Sequence, residues 1–239
     1  MIPLDPLTIG GLMILAASDA KSLCQMPKPT EINVSPRTEE VTYDYSKPRD
    51  ALQDVAIDTV DPYGFDQKTH TNGYMKGLIT MEPRVKMDYK HIPKYDAVCI
   101  WYDVIDLKIE IDPEIVIAKE IAENPCKLSA VKKHELQHVK VDRQIVNKYG
   151  ASMGQKIYDG LKQRGFMVGP IRAEHAQDVV KKMQMTVGRL VELEYRKMEI
   201  ERQERQQAVD NLDEYERVNK IVNACPDRKS RTSGASRGR

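Results

Sequence analysis

The alternation of hydrophobic and polar residues predicts strands in the first half of the chain. Residues 40–45 (EVTYDY) alternate in the manner of a strand, and longer strand patterns cover 84–91 and 97–111. The last of these ends with Leu107, Ile109 and Ile111 separated by charged residues. We therefore predict a small antiparallel sheet in this half of the chain.

From Cys126 onward the hydrophobic spacing changes to that of helices. Apolar residues recur at near-helical spacing up to Tyr149, and Gly150 is expected to end this helix. Between the strands and this helix, residues 113–123 could be a short helix or a further strand. A shorter helix over 151–163, interrupted by Gly160, and a turn over 164–170 are predicted to follow.

A long helix is predicted over residues 171–223. Its hydrophobic stripe fades between Glu201 and Gln207 (ERQERQQ) and resumes at Val209. A helix of this length cannot be covered by a small domain, so it projects, folds back or pairs with a second copy of the chain. Self-association through this helix is therefore one expected interaction.

The first eighty residues contain few regular patterns. Four prolines between residues 21 and 49 oppose helix formation, and residues 61–73 are rich in turn-forming types. The whole pattern predicts an α+β fold, with a small N-terminal antiparallel sheet packed on a helical region and a long C-terminal helix. The predicted segments are a signal peptide (1–20), an extended segment (21–79), a metal-binding domain (80–180), a helical extension (181–225) and a disordered basic tail (226–239).

Composition and charge narrow the choice of partners. Charged residues make up 31% of the chain and aromatic residues 6%, which favours long solvated helices. The net charge of +1 gives no basis for predicting nucleic-acid binding, and the basic residues that stand out are confined to the tail. A solubilising role for that tail is therefore favoured over nucleic-acid binding.

The N-terminus and the cysteines both bear on the cellular compartment. Residues 7–17 (LTIGGLMILAA) are too few for a membrane span but suit the core of a signal peptide, although no basic residue precedes them. Cys24, Cys99, Cys126 and Cys225 form no C-x-x-C pair and suit two disulfides in an oxidising compartment. We favour the pairs Cys99–Cys126 and Cys24–Cys225, and four reduced thiols in a cytosolic protein are the alternative.

The segment His134-Glu135-Leu136-Gln137-His138 carries the chemistry. Two histidines four positions apart on a helix lie one turn apart on the same face and can bind one metal ion. Zinc suits two imidazoles, and Glu135 follows directly, where a general base for a metal-activated water is expected. An exposed helix with two incidental histidines is the competing interpretation.

A catalytic zinc site needs a third protein ligand, and the densest set of suitable groups lies downstream. Glu174 and Asp178 are four residues apart, so one could bind the metal while the other orients a histidine. His175 is a competing ligand or a residue that stabilises the oxyanion in catalysis. Asp142 lies about 12 Å along the helix from His134, too far to share the ion, and is expected to accept an N–H hydrogen bond beside the site or to be a surface charge.

A helical H-E-x-x-H followed by E-x-x-x-D on a later helix resembles the gluzincin clan of zinc metallopeptidases. The motif, the strand-rich region before it and the cysteine at its start are also similar to a bacterial family of secreted zinc-dependent proteases. The resemblance implies that His134, His138 and Glu174 bind zinc, that Glu135 is the general base and that Asp178 supports a histidine. The 36 positions between His138 and Glu174 exceed the commonest spacing in that clan.

The resulting prediction is an exported zinc-dependent peptidase that acts in the periplasm or cell envelope on a peptide or protein substrate. Zinc is the expected cofactor, and no membrane span is expected in the mature form. The strand over 97–111 is expected to pair with an extended peptide at its edge. The first alternative is a non-enzymatic envelope protein whose long helix mediates assembly, with a structural or vestigial metal site. The second is a cytosolic helical protein with a nucleic-acid-binding tail.

Overall fold

The structure, a computed structural model, describes residues 23–53, 55 and 71–226. The predicted signal peptide, most of the loop predicted over 61–73 and the tail after Pro226 lie outside the described residues. Two compact units are present, each assembled from three stretches of the chain. Within the described residues, the first unit comprises 23–39, 79–111 and 143–201, and the second comprises the remainder.

The secondary structure confirms the α+β class and the long C-terminal helix. In chain order the elements are β1 (Glu31–Thr38), β2 (Thr42–Asp44), β3 (Gly73–Lys76), β4 (Ile79–Ile92), β5 (Ala97–Ile111), β6 (Glu114–Ile117), α1 (Lys119–Ala122), α2 (Pro125–Arg164), β7 (Met167–Arg172), α3 (Ala176–Val209) and α4 (Leu212–Ala224), with 3₁₀ turns at Arg49–Leu52, Pro93–Tyr95 and Ala173–His175. The segment left open between helix and strand contains both, β6 and then α1. The turn predicted over 164–170 instead leads into β7.

The first unit is built around β5, which is the central strand of its sheet. β4 and β7 pair with β5 antiparallel, whereas β1 pairs with it in parallel. Ile105, Leu107, Ile109 and Ile111 of β5 are at most 1% exposed, which explains the hydrophobic alternation in the sequence. The expectation that β5 offers an edge to a peptide is wrong, because neighbouring strands on both sides use its backbone hydrogen-bonding groups.

Helix α2 is one element of 40 residues, so the predicted stop at Gly150 is wrong. A Cβ atom at Gly150 would lie 2.8 Å from Cβ of Pro36 in β1, and one at Gly160 would lie 2.6 Å from Cδ2 of Leu190 in α3. Both glycines therefore allow close packing inside the first unit rather than ending a helix.

The second unit contains a three-stranded sheet in the order β2-β6-β3, with β2 parallel and β3 antiparallel to β6. Its core joins this sheet to α1, the first part of α2 and α4. The buried core residues are Leu52, Tyr74, Ile115, Val116, Ile117, Ala118, Ile121, Ala130, Val131, Val139, Val218 and Val222. Strand β3 pairs only with β6 among the described residues, so it forms one edge of this sheet.

The single helix predicted over 171–223 is also wrong, because the chain changes direction between Val209 and Leu212. Helix α3 ends at Val209, and Asn211, in extended backbone, caps the N-terminus of α4. The Asn211 side-chain oxygen accepts a hydrogen bond from the Glu214 backbone N–H at 3.0 Å. This break places Asp210 between two helices.

The four cysteines form two disulfides, as predicted, but the predicted pairing is wrong. Cys24 is bonded to Cys99 within the first unit, where both pack beside Trp101. Cys126, at the start of α2, is bonded to Cys225, directly after α4, within the second unit. Two disulfides are typical of proteins in oxidising, exported environments. None of the helices in the described part of the chain combines the length and apolarity needed to cross a membrane.

Candidate metal centre

The H-E-x-x-H segment lies in the middle of α2, in the part that belongs to the second unit. His134 and His138 project from the same face of the helix, one turn apart, with ring centroids 5.1 Å apart. Asp210 approaches this face from the break between α3 and α4. The exposed fractions are 8% for His134, 7% for His138 and 4% for Asp210, so the three residues form a buried polar group.

One carboxylate oxygen connects the two histidines. Nε2 of His134 and Nε2 of His138 each lie 3.1 Å from Oδ1 of Asp210. Ligand atoms held tetrahedrally by one zinc ion at its usual bond lengths are roughly 3.3 Å apart. The ligand atoms of the three residues all lie within 4.8 Å of one another, and no other such group occurs in the described ranges 23–53, 55 and 71–226. This group could therefore hold a metal ion.

The other ring nitrogens determine whether the chemistry fits a cation. Nδ1 of His138 lies 2.6 Å from Oε1 of Gln206, and Nδ1 of His134 lies 3.4 Å from Oε1 of Glu214. Oxygen atoms at these positions require Nδ1–H, which leaves the lone pair of a neutral imidazole on Nε2. Two lone pairs and one carboxylate oxygen would then face one another, an arrangement that a shared cation stabilises. The donor set therefore fits a metal ion.

Glu214 remains ionised at any pH near neutrality. Arg217 donates to both of its oxygens, at 2.7 and 2.6 Å, and Gln137 donates to Oε1 at 2.7 Å. Together with the contact of His134, these hydrogen bonds lower the pKa of Glu214 to about 2. The hydrogen bond of Arg217 contributes most, and those of Gln137 and His134 follow. A permanent acceptor is thus held against His134.

The charges of the group shift the pKa values of its members in the absence of a metal. Burial alone would lower the pKa of His138, but the hydrogen bond and charge of Asp210 outweigh burial and raise it to about 9. In His134 too, burial lowers the pKa, but the hydrogen bond of Asp210 and the charge of Glu135 raise it, and the net shift is upward. Burial raises the pKa of Glu135, which is 4% exposed and accepts a hydrogen bond from the backbone N–H of Met75 in β3. The site thus holds positive charge, as protons or as a metal ion.

Behind His138 lies a further buried polar set. Asp142 is fully buried and accepts from Arg202 Nε at 2.8 Å and Nη2 at 3.1 Å. Gln206 donates from Nε2 to Oδ1 of Asp142 at 2.6 Å and to the carbonyl oxygen of His138 at 3.2 Å. Asp142 is therefore neither a ligand nor a surface charge. It accepts a hydrogen bond from Gln206, which in turn contacts His138.

The structure does not bring the three predicted downstream residues into this group. Glu174 and His175 lie in a 3₁₀ turn of the first unit, and Asp178 lies exposed in the first turn of α3. The Glu174 carboxylate is 63% exposed and lies 3.5 Å from both Arg172 Nη1 and His175 Nε2. Asp210, in the break after α3, occupies the position in the group that the gluzincin resemblance assigned to Glu174, because its carboxylate lies 3.1 Å from Nε2 of both histidines.

The residues missed by sequence reasoning left a periodic signal. Met198 is buried on α3, and continuing from it in steps of four gives Arg202, Gln206 and Asp210, which are 6%, 3% and 4% exposed. The hydrophobic stripe did not fade at ERQERQQ; buried polar residues continued it. Asp210 and Glu214 repeat the four-residue spacing that had been attributed to Glu174 and Asp178.

Comparison of the chain with protein-family models, with curated proteins and with solved structures gives no match. The function is therefore inferred from the chemistry of the group itself.

Proposed function

We propose that this protein is a zinc-dependent peptidase in which His134, His138 and Asp210 hold the metal and Glu135 is the general base. The observation that carries the proposal is the convergence of two imidazole nitrogens on one carboxylate oxygen, on the helix that bears Glu135. The two disulfides support an exported protein, and we propose the periplasm or cell envelope as its location.

Zinc is favoured by the types of ligand. Two imidazoles and one carboxylate form a three-ligand protein set of the kind found in catalytic zinc sites, where a fourth position serves water or substrate. Calcium and magnesium prefer sets composed of oxygen atoms. When bound, zinc would supply Lewis acidity, polarising a substrate carbonyl and lowering the pKa of a water molecule.

The protein's own residues would perform the proton transfers and the positioning. Burial raises the pKa of Glu135 above that of a free carboxyl group, which suits it to take a proton from water and pass it to a leaving amine. The Met75 N–H fixes one side of its carboxylate. Gln206 and Glu214 hold the two imidazoles so that both Nε2 atoms face Oδ1 of Asp210, and these three atoms would hold the ion.

Strand β3 is the proposed docking site for the substrate backbone. Among the described residues it is an edge strand of its sheet, and its Met75 N–H donates a hydrogen bond to the general base. An extended peptide that adds to this edge would bring its backbone close to Glu135. In this proposal β3 replaces β5 as the peptide-binding strand, and the substrate is a peptide or an extended segment of a protein.

A structural metal site is the second candidate, and the burial of the group favours it. His134, His138, Glu135 and Asp210 are all less than 9% exposed, as in sites whose role is to join two helices. The protein would then be a non-enzymatic envelope protein, and metal removal would lower its stability with no hydrolysis to lose.

The test begins with elemental analysis of protein purified without a metal-affinity tag. One zinc per chain is expected in the wild type and in the control Glu174→Ala, and little in His134→Ala or Asp210→Ala. Zinc-loaded protein is then incubated with a peptide library, with Glu135→Gln as the matched inactive variant.

Cleavage by the wild type and a loss of at least about a hundredfold in Glu135→Gln would support the peptidase. Bound zinc without cleavage would favour the structural role. No zinc after reconstitution would overturn both, and zinc lost in Glu174→Ala rather than Asp210→Ala would restore the first ligand prediction.

A further inference from the structure

We propose that Asp142 and Arg202 are positioning residues that fix the tautomer of His138 through Gln206. The inference rests on the metal-binding part of the proposed function, and it does not require peptide hydrolysis. A chain of hydrogen bonds runs from Arg202, whose guanidinium can only donate, through Asp142 and Gln206 to His138. Each contact determines which atom of the next residue must donate or accept.

The first link is the buried pair of Arg202 and Asp142. A guanidinium has N–H donors and no acceptor, so both Asp142 oxygens that face Arg202 must accept. The Arg202 side chain is 7% exposed and that of Asp142 is 0% exposed, so water does not compete for these contacts. Both Asp142 oxygens are thereby held as acceptors.

The second link fixes the orientation of the Gln206 amide. The end of this side chain that faces Asp142 Oδ1, at 2.6 Å, also faces the His138 carbonyl oxygen, at 3.2 Å. Two acceptors can be satisfied only by the NH₂ group, because a carbonyl oxygen in that position would be repelled by both. The amide oxygen of Gln206 must therefore point the other way.

The third link transmits this orientation to the metal centre. The amide oxygen lies 2.6 Å from Nδ1 of His138, so Nδ1 must carry the proton and Nε2 keeps its lone pair. Nε2 is the atom that faces Asp210 and would bind zinc. Nδ1 of His134 instead faces Glu214, which is not part of this chain of hydrogen bonds. The Nδ1–H of His134 therefore provides an internal control.

The decisive comparison is between Asp142→Leu/Arg202→Met and Asp142→Asn. The double variant replaces the buried ion pair by apolar side chains of similar size, so Gln206 loses the acceptor that orients its NH₂ group. The amide oxygen of Gln206 is then no longer held against Nδ1 of His138, and zinc affinity, measured by competition with a chelator, is expected to fall by about 10- to 100-fold. Asp142→Asn is the matched control, because Oδ1 accepts from both Arg202 and Gln206 and an asparagine oxygen in that place can serve both. Its zinc affinity should stay close to that of the wild type.

Long-range proton–nitrogen NMR on zinc-loaded protein reads the link directly, as the rate at which the Nδ1–H of each histidine exchanges with solvent. Faster exchange is expected at His138 in Asp142→Leu/Arg202→Met, with His134 unchanged. In Asp142→Asn both protons are expected to exchange as they do in the wild type.

A folded Asp142→Leu/Arg202→Met variant with wild-type zinc affinity and unchanged exchange at His138 would overturn the inference, as would an equal loss of affinity in Asp142→Asn. If the double variant does not fold, Gln206→Met decides, because it keeps the buried ion pair and removes only the link to His138. Undiminished zinc affinity in that variant would refute the proposal. A wild type that binds no zinc defeats the metal site itself, whereas one that binds zinc without cleaving peptides leaves this inference standing.

Discussion

Removal of the metal is expected to reverse the pH dependence of stability. In the metal-free protein the pKa of His138 is about 9, against an ordinary value of 6.5. A raised pKa in the folded state contributes stability that is fully present below pH 6.5 and is lost as the pH rises through 9. At about 1.4 kcal/mol per pH unit, this gap corresponds to roughly 3.5 kcal/mol in the free energy of unfolding. His134 and Glu135, whose pKa values are also raised, shift stability in the same direction.

The zinc-loaded protein should show the opposite slope at the acidic end of this range. Zinc binds neutral imidazole, so protons compete with the metal and affinity rises as the pH increases toward neutrality. The assay is urea denaturation of chelator-treated and zinc-loaded protein at several pH values between about 6 and 9. The two series should diverge steadily as the pH increases.

The matched control is Asp210→Asn, which removes the charge that raises both histidine pKa values. Its metal-free stability should change much less across the same pH range, and added zinc should have little effect. If the metal-free wild type is equally stable at pH 6.5 and pH 9, or becomes more stable, Asp210 does not hold protonated histidines in the way described.

Two further predictions concern the scaffold. Replacing both Cys126 and Cys225 by serine should lower the free energy of unfolding by about 3–5 kcal/mol, since their disulfide closes a loop with a sequence separation of 99 residues. Denaturation with and without reductant checks this prediction, and an unchanged midpoint would contradict it. Gly150→Ala should destabilise the first unit by about 1–3 kcal/mol because its methyl group would meet Pro36, whereas Gly188→Ala on open helix surface should stabilise it by up to about 1 kcal/mol. Equal thermal shifts in the two alanine variants would refute the packing role of Gly150.

The sequence predicted the elements whose physical basis is local. The strand over 97–111 and the motif helix follow from hydrophobic spacing, and β5 has the predicted boundaries. The two glycine positions misled because a glycine inside a helix can serve either as a stop signal or as a point of close approach. That distinction depends on Pro36 and Leu190, which are distant in sequence.

The proposed ligand set was only half predictable for a related reason. His134 and His138 are encoded by neighbouring positions, whereas Asp210 is 72 positions after His138 and enters the site only because α3 ends before it. The polar stretch ERQERQQ concealed the link, since Arg202 and Gln206 resemble solvated residues until their buried partners are known. A polar residue at a position where the buried stripe of a helix would continue indicates a buried polar contact, which composition alone does not reveal.

Because the histidines and Asp210 are far apart in sequence, the site cannot form until well after the histidines have been synthesised. His138 leaves the ribosome 72 residues before Asp210, an interval of about 4–15 seconds at ordinary synthesis rates. During that time the nascent chain carries the full H-E-x-x-H segment without Gln206, Asp210 or Glu214, the oxygen-bearing side chains that its histidines contact in the folded protein. A chain cut before residue 202 would keep the whole motif and none of these partners. Loss of the last helices would therefore abolish the proposed metal site as completely as loss of a histidine.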